Sequence, residues 1–140
     1  MDKTDETLNA VEGAQAVCDW FGYWPSFHDA EILDVHLARS GSSSIRVLTW
    51  HVNREVIENG YYRQEREAIV TFSLTGITDL ELAGFSTQNV IFGLGLELSA
   101  NGIRLVLSPC YGLAGYVDAA VVRVELTPGR DATWPGGAEV

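Results

Sequence analysis

From Ala30 to Leu126 the chain repeats with a period of two, and that alternation limits the fold more than any other feature. In Ala68–Thr75, the apolar Ala68, Val70, Phe72 and Leu74 alternate with Ile69, Thr71, Ser73 and Thr75. Successive side chains on a strand point to opposite faces, so this is the pattern of a half-buried strand with a polar outer side. The same reading applies to Ala30–Arg39, where Leu33, Val35 and Leu37 are set against Ile32, Asp34 and His36, and to Ile45–Val52. It applies again to a short run around Leu80 and Leu82, to Val90–Leu98, to Ile103–Leu107 and to Tyr116–Leu126. Ser40–Ser43 and Asn101-Gly102 are tight-turn sequences, and they predict antiparallel hairpins between the strands they join.

Three stretches interrupt the pattern. Arg54–Gln64 has no sustained period and contains Asn59-Gly60, which predicts a long exposed connection carrying Tyr61 and Tyr62. In Val90–Leu98, Val90, Phe92, Leu94, Leu96 and Leu98 are expected on one face and Gly93 and Gly95 on the other. Two glycines on one strand face predict a bulge, a bend or a close backbone approach. Ser108–Gly115 is expected to break the sheet, with Tyr116–Leu126 resuming it through Ala120, Val122, Val124 and Leu126.

Before the strands, Leu8, Ala10, Val11, Ala14, Val17, Cys18 and Phe21 recur at spacings of one, three and four, which predicts one amphipathic helix over Thr7–Trp20. Gly13 weakens such a helix by about 1 kcal/mol relative to alanine. Gly22 and Pro25 end it. The expected fold is therefore α+β: an N-terminal helix packed on a twisted, mainly antiparallel sheet of six or seven strands. One domain covers residues 1–140, with residues 1–6 a flexible lead-in and residues 128–140 a loosely held tail.

The chain carries 9 Lys+Arg against 19 Asp+Glu, a formal charge of −10. That balance opposes binding to a phosphate backbone, so nucleic acid is not an expected partner. Residues Met1–Asp34 hold eight acids and one lysine, which places most of the excess in the first quarter. No apolar run has the length of a membrane span and no signal-peptide pattern opens the sequence, so the expectation is a cytoplasmic protein without membrane contact. Cys18 and Cys110 lack metal or redox spacing and are expected as small buried hydrophobes. No cofactor is expected.

The densest cluster of chemically distinctive side chains is Trp24-Pro25-Ser26-Phe27-His28-Asp29-Ala30-Glu31-Ile32, at the change from helical to strand period. Its histidine and carboxylates invite a metal-binding or acid–base reading that uses His28, Asp29 and His36. The alternative is structural: Asp29 orders the turn, His28 bonds a carbonyl, and Trp24 and Phe27 plug the sheet. A third reading makes the same residues a recognition surface.

This nonapeptide resembles the N-terminal signature of the immunity protein 50 family, bacterial proteins thought to neutralise toxins of polymorphic toxin systems. Gly84-Phe85-Ser86-Thr87-Gln88-Asn89-Val90-Ile91 and Tyr111-Gly112-Leu113 fit the same resemblance. The resemblance implies a non-catalytic inhibitor whose partner is a cognate toxin domain, one that an acidic protein would suit best if it were a basic nuclease. The expected partner-binding residues are Trp24, His28, Asp29, Glu31, Tyr61, Tyr62 and Tyr111. A homodimer through an exposed sheet edge is also open.

Overall fold

The computed structural model describes the backbone of residues 3–56 and 62–129 and the side chains of residues 6–50 and 67–129. Among the described residues two short helices, α1 (Lys3–Asn9) and α2 (Ala14–Phe21), precede six strands. These are β1 (Glu31–His36), β2 (Ser42–Val56), β3 (Tyr62–Ala83), β4 (Val90–Ser99), β5 (Gly102–Tyr111) and β6 (Ala114–Pro128). All strand pairs are antiparallel, and the order β1-β2-β3-β6-β5-β4 closes on itself as a barrel. The α+β class and the antiparallel pairing follow the sequence; the closure of the sheet does not. No helix among the described residues is long and apolar enough to cross a membrane.

The single helix expected over Thr7–Trp20 is two helices, the first beginning at Lys3. Gly13 separates them in the left-handed conformation, with φ 92°. A Cβ there would stand 1.9 Å from the carbonyl oxygen of Val124. The chain gives up a turn of helix at this point to reach β6: the Val124 amide donates to the Glu12 carbonyl at 2.8 Å, and Arg123 Nε pairs with Glu12 at 2.9 Å. Val11, Ala14, Val17 and Phe21 then enter the same core as the inward faces of the strands.

Several strands differ from simple alternation because they carry bulges, extra residues that exchange the faces beyond them. In β1, Ile32 opposes Val47 and Val35 opposes Ile45, with Leu33 the additional residue. Ile32 and Val35 therefore both turn toward the core, and Asp34 and His36 lie on the outer side. In β4, Ile91 opposes Pro109 and Gly93 opposes Ser108, so Phe92 is the additional residue. Ile91, Leu94 and Leu96 point inward, whereas Phe92 is 62% exposed and Leu98 is also exposed. The bulge predicted by the paired glycines is present, and it removes Phe92 from the inner face where strict alternation puts it.

β3 is one strand where the sequence predicts two. It bends at Gly76, opposite Ala120, and gains the extra residue Thr78 against β6. On β6, Val117, Ala119, Val122 and Val124 are buried and Ala120 is exposed, the inward side changing parity opposite the left-handed Gly76. β2 and β3 extend into the expected 54–64 connection, and residues 57–61 lie outside the described residues. The expected break at Ser108–Gly115 shrinks to Gly112-Leu113, because β5 continues through Pro109 and Cys110 to Tyr111. Pro109 is tolerated there because the ladder is already irregular between Val90 and Gly93. Cys110, expected inside, is exposed, and Cys18 is half-buried.

Candidate functional site

The barrel closes at the nonapeptide. β1 pairs with β4 at Glu31 and Val90, and the flanking backbone completes the seam. The Asp29 amide donates to the Ile91 carbonyl at 2.9 Å, the Ile91 amide to the Ala30 carbonyl at 2.9 Å, and the Ile32 amide to the Asn89 carbonyl at 2.8 Å. Reaching this register requires a compact turn with two left-handed residues, Phe27 at φ 62° and Asp29 at φ 64°. Aspartate tolerates that region, whereas a bulky phenylalanine there is a strained conformation that surrounding packing must hold. The Ala30 amide closes the turn on the Phe27 carbonyl, and Ser26 Oγ accepts the His28 amide. The Phe27 ring is fully buried and meets Trp24 at 5.7 Å and Phe72 at 5.8 Å, both edge to face.

Asn89 locks the other side of the seam. Its side chain is buried; Oδ1 accepts the Ser86 amide at 2.9 Å and the Leu113 amide at 3.1 Å, and Nδ2 donates to the Ser86 carbonyl at 2.8 Å. Gly112, at φ 88°, lies against it so closely that a Cβ would fall 2.6 Å from Oδ1. The three sequence segments 24–32, 84–91 and 111–113, far apart along the chain, thus meet at one junction.

Because Ala30 and Ile32 point into the core, Glu31 faces outward, in a row with Val90 and Tyr111 across β1, β4 and β5. His28 and Asp29 border this row. His28 Nδ1 is 3.1 Å from the Phe92 carbonyl oxygen, which fixes it as the donor, and Nε2 is 3.5 Å from Asp29. The imidazole stands perpendicular to the Phe92 ring at 5.1 Å. Tyr111 is 59% exposed. The result is an outer face of aromatic rings and carboxylates on a backbone fixed by strand pairing.

The structure brings His28, Asp29, Glu31 and Tyr111 together and turns Trp24 beneath them into the aromatic cluster. Tyr61 and the side chain of Tyr62 lie outside the described residues. His36 is not gathered with His28 and Asp29: it pairs with Ser44 at the far end of β1, roughly 16 Å of strand beyond Glu31. Among the described residues no group of three or more His, Cys, Asp and Glu is placed to hold a metal ion. Sequence reasoning missed Phe92 and Asn89. The glycines beside Phe92 were the signal for the first; for the second, Asn89 is the last of the polar run Ser86-Thr87-Gln88-Asn89 and nothing local sets it apart.

A second polar group lies on the outer face of β5 and β6. Arg104 bonds both carboxylate oxygens of Asp118, at 2.7 and 2.9 Å, and stacks 4.2 Å over the Tyr116 ring. Tyr116 Oη donates to Asp79 at 2.9 Å. The hydrogen bond from Arg104 lowers the Asp118 pKa, and the bond to Asp79 raises that of Tyr116. This network ties β3, β6 and β5 together and works as a brace.

No curated protein and no solved structure matches the chain. The family described as Immunity protein 50 matches residues 13–126, from the glycine that parts the two helices to the last core strand. That span contains all three segments of the barrel seam, and the chain belongs to the immunity protein 50 family.

Proposed function

We propose that this protein binds and neutralises a cognate bacterial toxin domain by occlusion, without catalysing a reaction, and that it acts in the cytoplasm. The family match over residues 13–126 carries this reading. The outer face of the seam is the proposed contact surface, with His28, Asp29, Glu31 and Tyr111 touching the partner and Trp24 supporting them from below. Exposed tyrosine and other aromatics on a rigid sheet make good anchors, because little conformational entropy is lost when they are buried. The formal charge of −10 suits a basic toxin such as a nuclease. Opposite charges raise the association rate, an effect that falls with added salt.

The test is co-expression with the variable C-terminal domain of the toxin encoded beside this gene. Rescue of growth, with a stable complex of the purified proteins, is the expected result; toxicity unchanged by co-expression would refute the pairing. Neutralising Asp2, Asp5, Glu6 and Glu12 together is expected to slow association at low salt and to leave dissociation unchanged.

A further inference from the structure

The outer face of the seam presents two exposed rings with carboxylates beside them. Phe92 lies two residues beyond Val90 on β4, and Val90 opposes Tyr111 on β5, so both exposed rings stand on the strands beside the seam. Asp29 and Glu31 flank Ala30, whose carbonyl accepts the Ile91 amide, and so border the same rings from the β1 side. Among the described residues the Asp29 carboxylate pairs with the His28 ring, and Glu31 makes no ion pair. Arg46, Arg104 and Arg123 are engaged elsewhere, by Asp34, Asp118 and Glu12.

The outer face of β5 and β6 shows what such a set of groups binds. There Tyr116 and Asp118 hold Arg104, with the guanidinium over the ring and two hydrogen bonds to the carboxylate. At the seam the ring and carboxylate types recur, with no arginine of the described chain among them. We propose that the seam is a receptor for an arginine of the partner, its guanidinium stacked on Phe92 and Tyr111 and paired with Asp29 and Glu31. Arginine fits better than lysine because a planar guanidinium stacks on a ring while forking to a carboxylate. This rests on the toxin-binding reading and supplies its chemistry: the toxin presents an exposed arginine, and the seam covers it.

Two measurements test the proposal. In the first, N-acetyl-argininamide is titrated into the protein, with N-acetyl-citrullinamide as the uncharged control, and the aromatic resonances are followed by NMR. Saturable shifts confined to Phe92, Tyr111 and neighbouring seam residues, seen with the arginine probe and lost in Glu31→Gln with Asp29→Asn, are expected. Equal shifts with both probes, or none, would overturn the proposal. In the second, the neighbouring toxin domain is bound to Phe92→Leu and Tyr111→Leu, which keep apolar bulk and remove the ring. Each is expected to raise Kd about 3- to 10-fold, mainly through faster dissociation, at unchanged thermal stability. Full-strength binding by both leucine variants would sink the arginine receptor and leave the immunity reading standing. A toxin that binds neither wild type nor variant would defeat the immunity reading, while the probe titration still reports on the site.

Discussion

Replacing Asn89 by alanine tests whether the seam is what holds this barrel shut. The side chain is 2% exposed and makes three hydrogen bonds, two to Ser86 and one to Leu113. Each contributes about 1 kcal/mol net, and leaving the Leu113 amide unpaired inside the protein adds about 1–3 kcal/mol. The expected loss is about 4 kcal/mol, a large share of the roughly 5–15 kcal/mol that stabilises a domain. For a chain of this size that lowers Tm by on the order of 10 °C. Urea unfolding followed by circular dichroism should show a lower midpoint at unchanged m. Hydrogen exchange should show the damage at the clasp, with the amides of Asp29, Ile32 and Ile91 losing protection before those in the centre of β3. Asn89→Asp offers a control: it keeps the acceptor for both amides but places a carboxylate oxygen against the Ser86 carbonyl. It should therefore be least harmful at acid pH, where the carboxyl is neutral and its proton replaces the lost donor. A loss below about 1 kcal/mol for Asn89→Ala, or a uniform loss of protection over the whole barrel, would refute the idea of a local clasp.

Other consequences are equally direct. Gly13→Ala should cost more than 2 kcal/mol, roughly, because it combines an unfavourable φ with a collision against the Val124 carbonyl; chemical denaturation would read it. Phe27→Ala should cost about 3–5 kcal/mol, because it empties a buried site while alanine keeps the Cβ and with it the left-handed strain, as read by chemical denaturation. Asp118 has a lowered pKa in the folded protein, so its contribution is present above the unfolded carboxylate value near 4 and is lost as pH falls through the folded value. Asp118→Asn should accordingly flatten the acid limb of a stability–pH curve, and an unchanged limb would contradict the Arg104 pairing. The phenol of Tyr116 should ionise above the ordinary tyrosine range, and Asp79→Asn should bring it down, as read by ultraviolet titration.

Local sequence carried the strands because alternation is a local consequence of backbone geometry: residues 68–74 and the Asn101-Gly102 hairpin lie where the pattern puts them. It also carried the family, through three short segments. The bulges were not legible in the same way. Leu33, Phe92 and Thr78 are additional residues only with respect to the partner strand opposite, and no pattern within one strand states that register. This is why Phe92 reads as core in the sequence and is exposed in the fold. The same holds for Gly13: a helical window sees a weak helix former, whereas the carbonyl of Val124, more than a hundred residues along the chain, makes it a point of contact.

By itself, the sequence of the nonapeptide determined that a helical period ends and an extended one begins there, since proline and the change of period act on their immediate neighbours. Only the tertiary structure decided that this turn closes a barrel. Closure depends on hydrogen bonds between Asp29, Ala30 and Ile32 and residues about sixty positions away, and on the burial of Asn89 between two loops. Those contacts also decide which side chains of the motif are spent on the core, as Phe27 is, and which are left facing outward, as Asp29 and Glu31 are.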